Sequence, residues 1–154
     1  MSSIIVRDGT LADGDEVIAL GKKVHAESQF KDLPYLDKYV RYTLTENLGK
    51  EGVLFLVAER DSTLVGAFAA YHNNWFFTNA RYAADMFLFM DISARNTLAP
   101  VMIIQRYIDW AKKMGVARIN LGQTTGIETE RVVKAYQAMG FTKTGSNFTI
   151  ALNK

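Results

Sequence analysis

Apolar positions recur along this chain with two periods, and the switches between those periods divide it into elements. Ile4 to Arg7 is a short strand pattern closed by the turn pair Asp8–Gly9. Asp13 and Glu16 have capping-box spacing, and Val17, Leu20 and Val24 then keep helical spacing, so a first helix runs to about Ser28. Leu36, Val40 and Leu44 mark a second helix ending near Gly49. Val53 to Glu59 and Leu64 to Tyr71 read as strands hinged at Asp61–Ser62; His72 to Asn74 interrupt the second, and Trp75 to Phe77 extend it past a bulge.

The next stretch organises the rest. Asp85 to Asp91 is a strand buried on both sides, with Phe87 and Phe89 on one face and Met86, Leu88 and Met90 on the other. A polar elbow, Ser93 to Thr97, leads into a helix that can hold Pro100 in its first turn. Two adjacent stripes, Ile104, Ile108, Ala111 and Ile103, Tyr107, Trp110, Met114, bury a wide face of that helix. A strand turning into a helix presents unpaired N–H groups and a positive dipole end, which suits an anion. Ala117 to Leu121 follows as a strand. Thr125 and Glu128 have capping spacing, Val132, Tyr136 and Met139 form a stripe, and Gly140 stops that last helix. Phe141 to Thr144 and Phe148 to Leu152 give a final pair of strands.

Strand, two helices, three strands, helix, strand, helix and two strands make one mixed α/β (α+β) domain over residues 1–154, a single sheet with helices on both faces. A chain of 154 residues with 49% hydrophobic and 22% charged residues is a globular composition. The net charge of +2 and the lack of a basic stripe argue against nucleic acid as a partner. No apolar run reaches membrane-spanning length and the N-terminus has no secretory h-region, so a cytoplasmic location without a membrane partner is expected. The absence of cysteine removes disulfides and a thiol nucleophile. His25 and His72, the only histidines, have no carboxylate partners at metal-site spacing, so no metal is expected.

The element order, the elbow and the ending Tyr136-Gln-Ala-Met-Gly140-Phe141 together resemble the GNAT superfamily of acetyl-CoA dependent N-acetyltransferases. That family's central strand ends in Leu-x-Val-x-Pro-x-x-Arg and then x-x-Gly-x-Gly. Here the frame runs without a gap from Leu88 through Arg95 to Pro100, with Leu98 and Pro100 in place of the glycines. Thr129 stands where the later helix usually has Asn, and TTGIETER is similar to a turn in small GNAT-like proteins encoded by bacteriophages.

The resemblance implies that the backbone of Leu88, Phe89 and Met90 holds the pantetheine arm of acetyl-CoA while one amide polarises the thioester. The elbow Arg95, Asn96, Thr97, Leu98, Ala99 and Pro100, with Thr129, would then meet the phosphates. Leu98 obstructs close approach and Pro100 removes a donor, so the side chains of Arg95, Asn96 and Thr97 are expected to substitute and binding to weaken. Tyr136 takes the family's acid position, or packs beside Val132 and Met139. Asp85 is the candidate base, its pKa raised by desolvation, or else it pairs with Arg81 or a turn amide; Glu59 is a weaker candidate beside Arg60. The regions of His25 and His72 face the acceptor groove in this fold, and the loop around Phe30, Tyr35, Tyr39 and Tyr42 helps to line it. Trp75 to Phe77 are either a wall of that pocket or a homodimer interface. The implied function is acetyl transfer to a primary amine by direct attack. The alternative is an inactive GNAT-like binding or structural module.

Overall fold

Five strands form one sheet in sequence order in the computed structural model, which describes residues 3–152. They are β1 (Ile5–Asp8), β2 (Val53–Arg60), β3 (Thr63–Asn74), β4 (Arg81–Met90) and β5 (Arg118–Ile119). Neighbours are antiparallel except β4 and β5, which run parallel. Parallel neighbours need a crossover, and the helix α3 (Ala99–Lys113) supplies it. Helices α1 (Gly14–Glu27) and α2 (Asp37–Asn47) lie between β1 and β2, and α4 (Thr129–Ala138) follows β5. None of the helices among the described residues is long and apolar enough to cross a membrane.

Alternation along the central strands builds two cores. Leu54, Leu56, Phe68, Ala70 and Ala83 pack with Ile103, Tyr107 and Ala111 of α3, and the rings of Phe68 and Tyr107 lie 5.0 Å apart. Phe55, Val57, Ala67 and Ala69 meet Val17, Ile18, Leu20 and Leu44 from α1 and α2 on the other face. Gly21 lets α1 close on the sheet there, since a Cβ would stand 2.6 Å from the Tyr35 hydroxyl and 2.9 Å from the Phe89 ring.

Several local expectations are corrected. The central strand begins at Arg81, four residues before Asp85, because Arg81 and Ala83 already carry the pairing with the β5 region. Register passes from Ala70↔Asp85 to Ala69↔Phe87, leaving Met86 as an extra residue. That bulge turns Met86 to the side of Phe87 and Phe89, instead of the side of Leu88 and Met90. β3 runs unbroken through His72 to Asn74, and Trp75 to Phe77 lie in the turn to β4. Asp13 stands at the start of α1 as expected, but a 3-10 turn, Leu11–Asp13, precedes it and the capping box is Thr10 with Asp13: the Thr10 amide donates to Asp13 Oδ2 at 2.8 Å, while Glu16 accepts the Leu64 amide from β3. Thr125 does not cap α4; its hydroxyl accepts the Ile127 amide, and Glu128 precedes the helix at φ 47°.

The final two strands are absent from residues 141–152 as described. Phe148, Ile150 and Leu152 alternate as a strand should, yet they are 95%, 82% and 87% exposed. A period of two makes one face apolar but supplies no ladder, and the chain here meets no partner strand.

Candidate functional site

The parallel pair β4–β5 opens almost as soon as it forms. Tyr82 pairs with Arg118 and Ala83 with Ile119, the Asn120 amide bonds the Ala83 carbonyl at 2.8 Å, and there the ladder stops. In register, the Gly122 amide would next reach the Asp85 carbonyl. It donates to the Asp85 carboxylate instead, at 2.9 Å from Oδ1. Beyond this point β4 has a free edge. The Ala83 carbonyl points towards β5 and the Asp91 amide bonds Val65 of β3. With the bulge counted, the backbones of Leu88 and Met90 therefore face the opening, and that of Phe89 faces β3. Of the three residues expected to hold a pantetheine arm, Phe89 has its peptide groups turned inward.

The elbow at the far end of that edge is tightly bonded. Asp91 Oδ2 accepts the Ser93 amide, and Arg95 Nε donates to the Met90 carbonyl at 3.1 Å. Arg95 also places its two terminal nitrogens on the carboxylate of Glu27 at 2.9 and 2.5 Å, with Glu128 4.0 Å away. The guanidinium holds the Glu27 carboxyl below its ordinary range. Thr97 donates its hydroxyl to the Ala94 carbonyl and accepts the Ala99 amide, and Asn96 Oδ1 accepts from Arg131. Thr97 has thus spent its one hydroxyl proton, and Arg95 has engaged three of its five N–H groups. Leu98, the residue before α3, is 73% exposed and points out to solvent, Ala99 is fully buried, and Pro100 occupies the first turn of the helix. Thr129 opens α4 beside a shallow groove of about 550 Å³ lined with Glu128, Glu130, Arg131 and Lys134.

Asp85 lies close enough to Tyr136 for its charge to act on the hydroxyl. Burial pushes the Asp85 carboxyl up, with the Gly122 amide pulling the other way. Tyr136 is half-buried, its ring 6.1 Å from that of Phe141; burial, with the charge of Asp85 adding to it, pushes its hydroxyl up to about 12. It is protonated at neutral pH.

Residues 23–141 match the model of the acetyltransferase (GNAT) family. The chain belongs to that family. Among solved structures it is similar in fold to a ribosomal-protein-alanine N-acetyltransferase from Brucella melitensis biovar Abortus 2308, with TM-score 0.72, 19% identity, and 98% and 100% of the two chains covered. It also resembles a transcriptional regulator from Bacillus halodurans C-125, at TM-score 0.79 and 14% identity over 97% and 100%. An aminoglycoside N-acetyltransferase, AAC(6')-Iy, in complex with CoA matches at TM-score 0.74 and 15% identity over 100% and 97%. No curated protein sequence matches significantly.

His25 stacks near Tyr35 at 5.3 Å, and the Tyr35 hydroxyl, pushed up to about 12 chiefly by burial, donates to the Ile18 carbonyl. His72 leans on Trp110 of α3, 6.2 Å away, so it lies on the sheet face opposite α1. Glu59 pairs with Arg7, not with Arg60, which donates to Ser93. Phe76 is fully exposed and Phe77 largely so. Among the described residues no cluster of three metal-ligating side chains occurs. Glu27 and Gln29 escaped sequence reasoning altogether. The Gln29 amide and side chain bond the carbonyls of Thr125 and Thr124, tying the loop after α1 to the turn before α4. Contacts 68 and more residues apart in sequence leave no periodic trace.

Proposed function

We propose that this chain moves an acetyl group from acetyl-CoA to a primary amine by direct attack. The observation that carries the reading is the opening of β4 from β5 beside Asp85 and Tyr136, which gives an extended pantetheine arm a strand edge at Leu88 and at the Met90 amide, the Met90 carbonyl being held by Arg95. In this reading the neutral amine attacks the thioester carbonyl, Asp85 takes the amine's proton through the oxygen not bound to Gly122, and the C–S bond breaks as Tyr136 protonates the departing thiolate. Both pKa shifts suit those tasks: a raised carboxyl is a stronger base, and a Tyr hydroxyl raised to about 12 stays protonated until needed. The positive dipole end of α3 faces the diphosphate, with the Ala99 amide already held by Thr97 and none at Pro100.

A second reading, an inactive GNAT-like binding module, is favoured by one observation: Glu27 occupies Arg95, and two carboxylates flank the place where phosphates would sit. Calorimetric titration with CoA decides. Saturable binding of about micromolar strength supports the enzyme; no heat at millimolar CoA leaves the module.

A further inference from the structure

A regular parallel ladder carries an amide-to-carbonyl bond in each direction at every second residue. With the Asn120 amide on the Ala83 carbonyl, the next two bonds would run from the Asp85 amide to the Asn120 carbonyl and from the Gly122 amide to the Asp85 carbonyl. Neither is made. The Asn120 carbonyl accepts the hydroxyl of Tyr107 at 2.8 Å, and the Gly122 amide donates to the Asp85 carboxylate at 2.9 Å. The Asn120 carbonyl and the Gly122 amide, one partner in each of those two bonds, are therefore satisfied by two side chains. Tyr107 is fully buried between Phe68 and Trp110, so its hydroxyl is fixed from the α3 side, while Asp85 reaches in from β4 itself.

We infer that Asp85 and Tyr107 act as a pair of positioning residues that stop β4 and β5 from zipping together, and so keep the strand edge at Leu88 and Met90 open for the pantetheine arm. A carboxylate acceptor lies farther from the strand axis than a carbonyl does, so Gly122 is held one side-chain length away from β4. The Tyr107 hydroxyl occupies the carbonyl that would otherwise draw the Asp85 amide across. This inference rests on the reading of the opening as the acetyl-CoA site, and it assigns Asp85 a task separate from proton transfer.

Three variants separate the tasks. Tyr107→Phe keeps the packed ring and removes only the hydroxyl. Asp85→Leu removes the acceptor, and Asp85→Asn keeps an oxygen for Gly122 while losing the base. CoA affinity measured by calorimetry should fall about fivefold or more in Tyr107→Phe and Asp85→Leu, the equivalent of one hydrogen bond, and stay within about twofold in Asp85→Asn. Unchanged affinity in both Tyr107→Phe and Asp85→Leu overturns the inference. Should the unaltered protein take up no CoA, the functional reading falls, and NMR then judges the strand stop alone. New cross-strand contacts between residue 85 and residues 120–122 in Asp85→Leu support it, and their absence overturns it.

Discussion

Glu27, the last residue of α1, holds Arg95 of the elbow through two charge-assisted bonds of 2.9 and 2.5 Å. The fork geometry is the strong form of such a pair, and it takes up a guanidinium that could otherwise meet an incoming phosphate. Glu27→Gln should therefore release Arg95 and remove a negative charge from the elbow. CoA binding is expected to tighten by about three- to tenfold, with the gain shrinking at high salt because Glu27 is partly exposed. Calorimetry at two ionic strengths checks both parts; weaker binding in the variant would mean that Glu27 orients Arg95 for the ligand instead of sequestering it.

The same surface shows what sequence could and could not give. Helical stripes placed the buried sides of α1 and α3, because burial imposes a period on the residues that meet the core, Val17, Leu20 and Val24 on α1 and Ile103 and Tyr107 on α3, whereas β2 and β3 read only as apolar runs whose faces the structure assigns. The elbow frame from Leu88 to Pro100 was legible because its spacing is local. The Glu27–Arg95 grip, the Gln29 tie and the Asp85–Gly122 bond join distant segments, and no local pattern requires them. The Met86 bulge was invisible for another reason, since an extra residue in a wholly apolar strand changes which face each side chain takes without changing its hydrophobicity. Phe148 to Leu152 shows the reverse error, a strand pattern that no partner completes.

Arg7 and Asp13 pin the start of α1 to β1, through bonds of 3.0 and 2.9 Å from a carboxylate that also accepts the Thr10 amide. The guanidinium is the chief reason that the Asp13 carboxyl is held below its ordinary range. A carboxyl depressed in the folded state stabilises the fold above its unfolded value and loses that contribution as pH falls through the folded one. Asp13→Asn should cost about 1 to 2 kcal/mol at pH 7, allowing for the part-exposed Arg7, and the gap between variant and parent should narrow as pH falls below the ordinary carboxylate range. Urea unfolding at several pH values measures it. A constant gap across that range would show that the charge of Asp13 contributes nothing.

Leu98 and Pro100 stand where the family frame has glycines; Leu98 is largely exposed and Pro100 lies in the first turn of α3. Their effect on an anion at the elbow is then one missing donor at Pro100 and a larger surface at Leu98, not a plug. Replacing both with Gly should tighten CoA binding by up to about tenfold, while the loss of the Pro at the helix start and of a side chain lowers stability by about 1 kcal/mol. Calorimetry and thermal unfolding read the two effects separately. Unchanged CoA affinity would remove the elbow from the binding site.

Tyr136 carries the last test of the chemistry. Its hydroxyl is pushed up to about 12, first by burial and then by the charge of Asp85, so between pH 6 and 10 or so it remains a donor. The Tyr136→Phe variant keeps the ring against Phe141 and loses the proton. Turnover with an amine acceptor is expected to fall by about a hundredfold, with CoA affinity retained, because a general acid acts in the transition state and adds little to ground-state binding. Steady-state rates across that pH range, paired with calorimetry, provide the measurement. A variant as fast as its parent would return Tyr136 to the packing role that its neighbours Val132 and Met139 also allow, and the thiolate would then have to take its proton from solvent.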